Sequence, residues 1–153
     1  MKPKMILLAG AIALALASPL AHSKTTRVDF SKCPIANPAD SPPGTLVTNR
    51  GPATAGGVAG VVTAFVLPGS FVPLAPNVLF LSAKYVVVAG PNSFVAHVTG
   101  RYDLNIGEAE LDGVVSEGWN TGSRVVDTFH SIAGGCVAGR LAIKPWPLDD
   151  NED

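Results

Sequence analysis

Residues 93–119 read Ser-Phe-Val-Ala-His-Val-Thr-Gly-Arg-Tyr-Asp-Leu-Asn-Ile-Gly-Glu-Ala-Glu-Leu-Asp-Gly-Val-Val-Ser-Glu-Gly-Trp. The first half alternates. Phe94, Ala96, Val98, Gly100, Tyr102 and Leu104 share one face, and His97, Thr99, Arg101 and Asp103 share the other. The second half alternates as well, with Glu108, Glu110 and Asp112 on one face and Ala109, Leu111, Gly113 and Val115 on the other. Period-two alternation across a Gly-containing connection predicts an antiparallel hairpin with one buried face. Pairing Asp103 with Glu108 places Arg101 opposite Glu110 and Thr99 opposite Asp112, so the polar faces coincide. A one-residue slip would bury the charges.

The same texture extends in both directions. Strands are predicted near Thr45–Asn49 and at Gly57–Leu67, Val78–Ala89, Ser93–Leu104, Glu108–Trp119, Ser123–Ala133 and Cys136–Ile143, separated by Gly-, Asn- and Pro-bearing turns. No helical periodicity competes after residue 77. The expected fold is all-β, an antiparallel meander of seven to eight strands. A small closed barrel is preferred because closure removes sheet edges, with a β-sandwich as the alternative.

Hexapeptide Val98-Thr99-Gly100-Arg101-Tyr102-Asp103 resembles a strand segment of the avidin-type biotin-binding barrels. The resemblance covers these six residues and implies a calycin-like barrel. The early Gly-x-Trp pattern of that family and of the lipocalins is missing, so no biotin site is carried over.

Ahead of the barrel region, Met1–Ser23 reads as a signal peptide. Lys2 and Lys4 precede an uncharged apolar run from Met5 to Ala17, and Ala21-His22-Ser23 supplies small residues before Lys24. That run is shorter than the roughly 20 residues a membrane-spanning helix needs. A secreted or periplasmic protein without an integral membrane span after cleavage is expected. Residues 24–44, polar and Pro-rich, read as an extended N-terminal arm, 45–146 as the barrel domain and 147–153 as an acidic tail. Two cysteines in an exported chain predict one disulfide, Cys33–Cys136. It would lash the arm across the outside of the sheet.

Charged residues are only 15% of the 153, and the formal net charge is −1. A nucleic-acid binder would carry a basic face, so none is expected as a partner. The chain has no Gly-x-Ser-x-Gly, His-Glu-x-x-His, phosphate-loop or Cys-x-x-Cys motif. The Glu108, Glu110, Asp112 stripe lies along a strand and lacks the convergent oxygens of a calcium site. Neither metal nor cofactor is expected.

The polar residues that the turns direct inward are the candidates for function. A two-residue turn at Gly134-Gly135 would pair Ala133 with Cys136. A second, at Thr121-Gly122, would pair Glu117 with Val126. Together they turn Glu117, Arg124, Thr128 and His130 into the barrel, His130 lying between Gly113 and Gly139. Tyr102 and Trp119 complete this ligand-binding set. A three-residue turn at Asn120–Gly122 would instead turn Asp127 and Phe129 inward. The first expectation is an exported barrel binding a small, largely apolar ligand. The second is a cofactor-independent isomerase, cyclase or hydrolase with His130 and Glu117 as acid and base. A secreted or envelope interaction protein is the third. Strand Gly57–Leu67 is apolar on both faces, with Val58, Val62 and Val66 against Val61, Phe65 and Leu67. Self-association to a homo-oligomer is expected through it or through the Pro68–Pro76 loop.

Overall fold

The computed structural model describes residues 24–145. The segments read as a signal peptide and an acidic tail lie outside the described residues, as does Trp146. Nine strands follow in order: β1 Thr26–Ile35, β2 Val47–Ala55, β3 Val58–Val66, β4 Pro73–Ala75, β5 Val78–Val88, β6 Phe94–Asp103, β7 Glu108–Gly118, β8 Arg124–Ser131 and β9 Val137–Lys144. All pairings are antiparallel. The sheet runs β3-β2-β1-β9-β8-β7-β6-β5-β4, and β3 also pairs with β5. Eight strands therefore close a barrel, and short β4 hangs on β5 as an extra strand. Closure leaves no free edge among the eight.

Pairing of β6 with β7 follows the expected register: Asp103 opposite Glu108, Arg101 opposite Glu110 and Thr99 opposite Asp112. Phe94, Ala96 and Val98 are buried inside, as are Leu111 and Val115 opposite them in the barrel wall. Arg101 and Glu110 form an exposed ion pair at 3.4 Å. Gly56 and Gly57 make a two-residue hairpin between β2 and β3, with Ala55 opposite Val58. Their φ angles of 55° and 84° are the left-handed pair that a tight hairpin turn demands and that glycine supplies without a Cβ penalty.

The segment read as an arm is partly barrel wall. Thr26–Ile35 is β1, lying between β2 and β9. Val28, Phe30 and Lys32 are its buried positions, while Arg27 and Asp29 are exposed. The alternation is regular, but a lysine occupies one inward place and hides it. Cys33 and Cys136 are joined, with their Cα atoms 4.1 Å apart. The bond links the neighbouring strands β1 and β9 at one barrel end, so it staples the wall and does not strap an arm over it. Beyond β1 the chain turns back. Asn37 Oδ1 accepts from the Thr48 hydroxyl at 2.7 Å. Thr48 and its partner Phe65 are buried on the outward face, whereas Val61 remains exposed.

Candidate functional site

The strand β8 has the opposite parity from the expected one. Ser131 pairs with Val137, so the β8–β9 connection is a five-residue loop, Ile132–Cys136, and not a two-residue turn. Gly134 and Gly135 lie inside it with positive φ, and the Ile132 N–H donates to the Cys136 carbonyl at 2.9 Å. The shift by one residue turns Val125, Asp127 and Phe129 inward and Thr128 and His130 outward. Gly139 makes room: a Cβ there would lie 2.5 Å from the Phe129 Cβ. Burying Val125 and Phe129 and hydrating Thr128 and His130 is the better arrangement for both faces.

Glu117 is also outward. Val95 pairs with Glu117 but Ala96 pairs with Val115, so Ser116 is an extra residue in a β-bulge. Parity beyond the bulge is inverted, and Glu117 is exposed. Arg124 points outward too, its Nε donating to Asp112 Oδ2 at 2.8 Å. The expected His130–Glu117 pair therefore does not form inside the barrel, and Arg124 does not reach the interior either. His130 and Thr128 line a groove of about 760 Å³ on the outer wall. Both arginines along this groove are paired, Arg101 with Glu110 and Arg140 with Asp29 at 2.7 Å, while Asp103 and Glu108 have no cation within ion-pair distance among the described residues.

Tyr102 and Trp119 are the two candidates that do contribute to the interior, at opposite ends. Trp119 packs on the core with its ring 6.3 Å from that of Phe94, and a Cβ at Gly56 would lie 3.0 Å from it. It plugs the end carrying the Gly56-Gly57 turn. Tyr102 stands at the other end, its ring 6.2 Å from Phe129 and its hydroxyl 2.7 Å from the Ser131 hydroxyl.

At Tyr102's end the barrel encloses a cavity of about 290 Å³. Val47, Val66, Leu81, Leu111, Phe129 and Val137 form its apolar wall, and Lys32 and Tyr85 reach its base. Lys32 is 3% exposed, Tyr85 1% and Asp127 fully buried. They form a chain from three strands. Lys32 Nζ donates to the Tyr85 hydroxyl oxygen, and that hydroxyl donates to Asp127 Oδ2 at 2.6 Å. No direct ion pair joins Lys32 to Asp127 among the described residues. The ammonium sits in an aromatic cage, 3.9 Å from the Tyr85 ring centre, 4.2 Å from that of Phe30 and 5.2 Å from that of Phe129. Asp127 Oδ1 is buried without a hydrogen-bond partner.

Burial governs the protonation of all three. Loss of hydration pulls Lys32 down from 10.5 to about 7, against the attraction of Asp127. It pushes Asp127 up from 3.8 to about 6, against Lys32 and the Tyr85 hydrogen bond. Tyr85 is held well above its ordinary value of 10.0 by burial, then by the Asp127 charge and the hydrogen bond to it. The lysine and the carboxyl are thus both brought toward neutrality, on either side of one hydroxyl. Sequence reading placed Asp127 inside only under the three-residue turn and Tyr85 only beside the inward set, and it missed Lys32 because that residue falls in the segment read as an arm. The signal for Lys32 was the even-numbered phase it shares with Val28 and Phe30.

The connections at this end of the barrel carry exposed apolar residues, among them Leu46, Val72, Leu104 and Ile132. Phe71 lines the cavity at φ 64°, a left-handed conformation that a bulky residue rarely adopts. Its N–H donates to the Phe80 carbonyl at 2.7 Å, which holds the turn over the mouth. Among the described residues no cluster of His, Cys, Asp or Glu could hold a metal ion, and no helix is long and apolar enough to cross a membrane. No protein-family model, curated protein or solved structure matches the chain.

Proposed function

We propose that this chain is an exported small-molecule carrier or receptor of calycin-like type, which holds one small, largely apolar ligand in the barrel over Lys32. The observation that carries this reading is the cavity itself: a largely apolar chamber at one end of the barrel, with a buried amine–hydroxyl–carboxyl chain at its base. Small-ligand sites combine apolar walls with a few fixed polar groups in this way. Exposed apolar side chains on the connections at that end support entry from there, because several of them at one barrel end are less ordinary than single exposed residues. Strain at Phe71 supports the same end, since unfavourable backbone conformations gather at binding clamps.

Export follows from the Met1–Ser23 reading, to the periplasm or the outside. The Cys33–Cys136 bond is compatible with either oxidising compartment. Self-association belongs to this reading through Val61 and Val88, register partners exposed on the outer wall. Sedimentation at rising concentration reads it directly, and a monomer throughout would remove it. Ligand binding is tested by native mass spectrometry of the protein recovered from its own host, followed by titration with 1-octanol. One apolar molecule per chain, or saturable uptake of one octanol, is the expected result. A protein that carries nothing and takes up no octanol overturns the proposal.

A further inference from the structure

We propose that the ligand is an apolar aldehyde or ketone and that Lys32 holds it covalently, as an imine at the base of the cavity. The inference rests on the ligand-binding reading above and adds the chemical class of the ligand.

Charge decides against the alternatives. Lys32 already has its counter-charge in Asp127, and no second cation faces the interior from the surrounding strands. The inward titratable groups are Lys32 on β1, Tyr85 on β5, Tyr102 on β6 and Asp127 on β8. A carboxylate or phosphate ligand would therefore bury surplus negative charge at a cost of several kcal/mol by desolvation. A purely apolar ligand would make no use of an amine at the chamber floor. A neutral carbonyl fits: it brings no charge and presents an electrophilic carbon to Nζ.

The three groups at the base match the needs of that reaction. Lys32 Nζ adds its electron pair to the carbonyl carbon, and the carbonyl π pair moves to oxygen. The nitrogen loses a proton to the Tyr85–Asp127 chain, and the oxygen gains one through the same hydroxyl. A second proton passes from the same chain to the hydroxyl oxygen, the carbon–oxygen bond breaks and water leaves as the nitrogen pair closes the carbon–nitrogen double bond, and the protonated imine returns its remaining N–H proton to the chain to become the neutral imine. Amine and carbonyl become imine and water, with no change in oxidation. Burial disfavours the charged ammonium, more than the aromatic faces and Asp127 favour it, and so leaves free amine to react near neutral pH. Asp127, with Oδ1 still unpartnered among the described residues, is the counter-ion for the protonated imine.

The test uses octanal and 1-octanol on the intact disulfide-bonded protein near pH 7. Octanal at one equivalent is trapped with cyanoborohydride, and the octyl group is located by peptide mass spectrometry. Labelling of Lys32 at least about tenfold above Lys24, Lys84 and Lys144 is expected, since a buried, deprotonated lysine is the better nucleophile. Excess 1-octanol should suppress the Lys32 label on the unmodified chain, and Lys32→Arg should abolish it. If octanol binds saturably but the label falls only on the other lysines, the covalent inference is overturned and the binding reading stands. If neither molecule enters the chamber, both fall.

Discussion

Tyr85 on β5 and Asp127 on β8 meet across the inside of the barrel, hydroxyl to carboxylate at 2.6 Å, although two strands separate them in the wall. The hydroxyl also accepts from Lys32, so one phenol ties together an amine and a carboxylate that do not touch. Removing Tyr85 leaves both Lys32 and Asp127 short of a partner, and removing Lys32 leaves the Asp127 charge buried without its neighbouring cation. Lys32→Met is expected to destabilise the fold by about 3–5 kcal/mol, as an uncompensated buried charge does, and Tyr85→Phe by about 1–3 kcal/mol. Lys32→Met combined with Asp127→Leu should recover most of the loss. Urea unfolding of the three variants checks this; additive losses in the double variant would contradict it.

Stability should pass through a minimum near neutrality. Asp127 has a raised value, about 6 against 3.8, so the folded state binds the extra proton between these limits. Stability therefore falls as pH rises from about 4 to 6. Lys32 has a lowered value, about 7 against 10.5, so the unfolded state binds the extra proton there. Stability rises again from about pH 7 toward 10. Tyr85 titrates above this window in the folded state. Chemical denaturation between pH 4 and 9.5 should show a dip of a few kcal/mol around pH 6–7, absent from the Lys32→Met, Asp127→Leu double variant. A single broad maximum near pH 6–7 in the unmodified chain would contradict the protonation scheme.

His130 and Glu117, the acid–base pair that the turns suggested, face solvent on the outer wall. His130→Ala and Glu117→Ala should each change stability by no more than about 0.5 kcal/mol, the usual range for surface positions, and leave octanol uptake unchanged. A loss of uptake in either would reinstate the opposite parity of β8 or remove the bulge at Ser116.

Phe71 should show opposing effects on stability and binding. Glycine adopts φ 64° without a Cβ penalty, so Phe71→Gly should relieve about 1 kcal/mol of backbone strain. It also removes an aromatic wall of the cavity mouth and should weaken octanol binding. Thermal unfolding and titration of the same sample give both readings; a variant that is less stable and binds as tightly would sink the idea.

The Cys33–Cys136 bond closes a segment spanning 103 residues. In the chain-entropy view, closing a loop of that size is worth about 4.7 kcal/mol. Reduced protein should be less stable by a few kcal/mol, and denatured, unreduced protein should titrate no free thiol. Two thiols per chain would contradict the pairing.

How much of this was legible follows from which faces are pure. The β6–β7 hairpin has one apolar and one charged face, and its register could be written down from residues 93–119. The inward set of β9, with Leu141 and Ile143 buried, was equally plain. The strand β8 was not, because Val125 and Val126 are both apolar and an aspartate takes the inward place between Val125 and Phe129. The strand β1 failed for the same reason, with Lys32 inside. The turns directed the wrong polar residues of this region inward, and the barrel keeps its buried polar groups at Lys32, Tyr85 and Asp127 instead. Glu117 was lost differently: a bulge costs one residue of register and leaves no mark in the alternation.

The central claim is that a small apolar molecule occupies the chamber above Lys32. Methyl ¹H–¹³C spectra recorded during titration with 1-octanol test it most directly. Saturable shifts should appear at Val47, Val66, Leu81, Leu111 and Val137 around the chamber, while Val28, Val87 and Val115 toward the Trp119 end stay fixed. Shifts confined to Val61, Val88 and Val114 on the outer wall, with the chamber methyls unmoved, would contradict it.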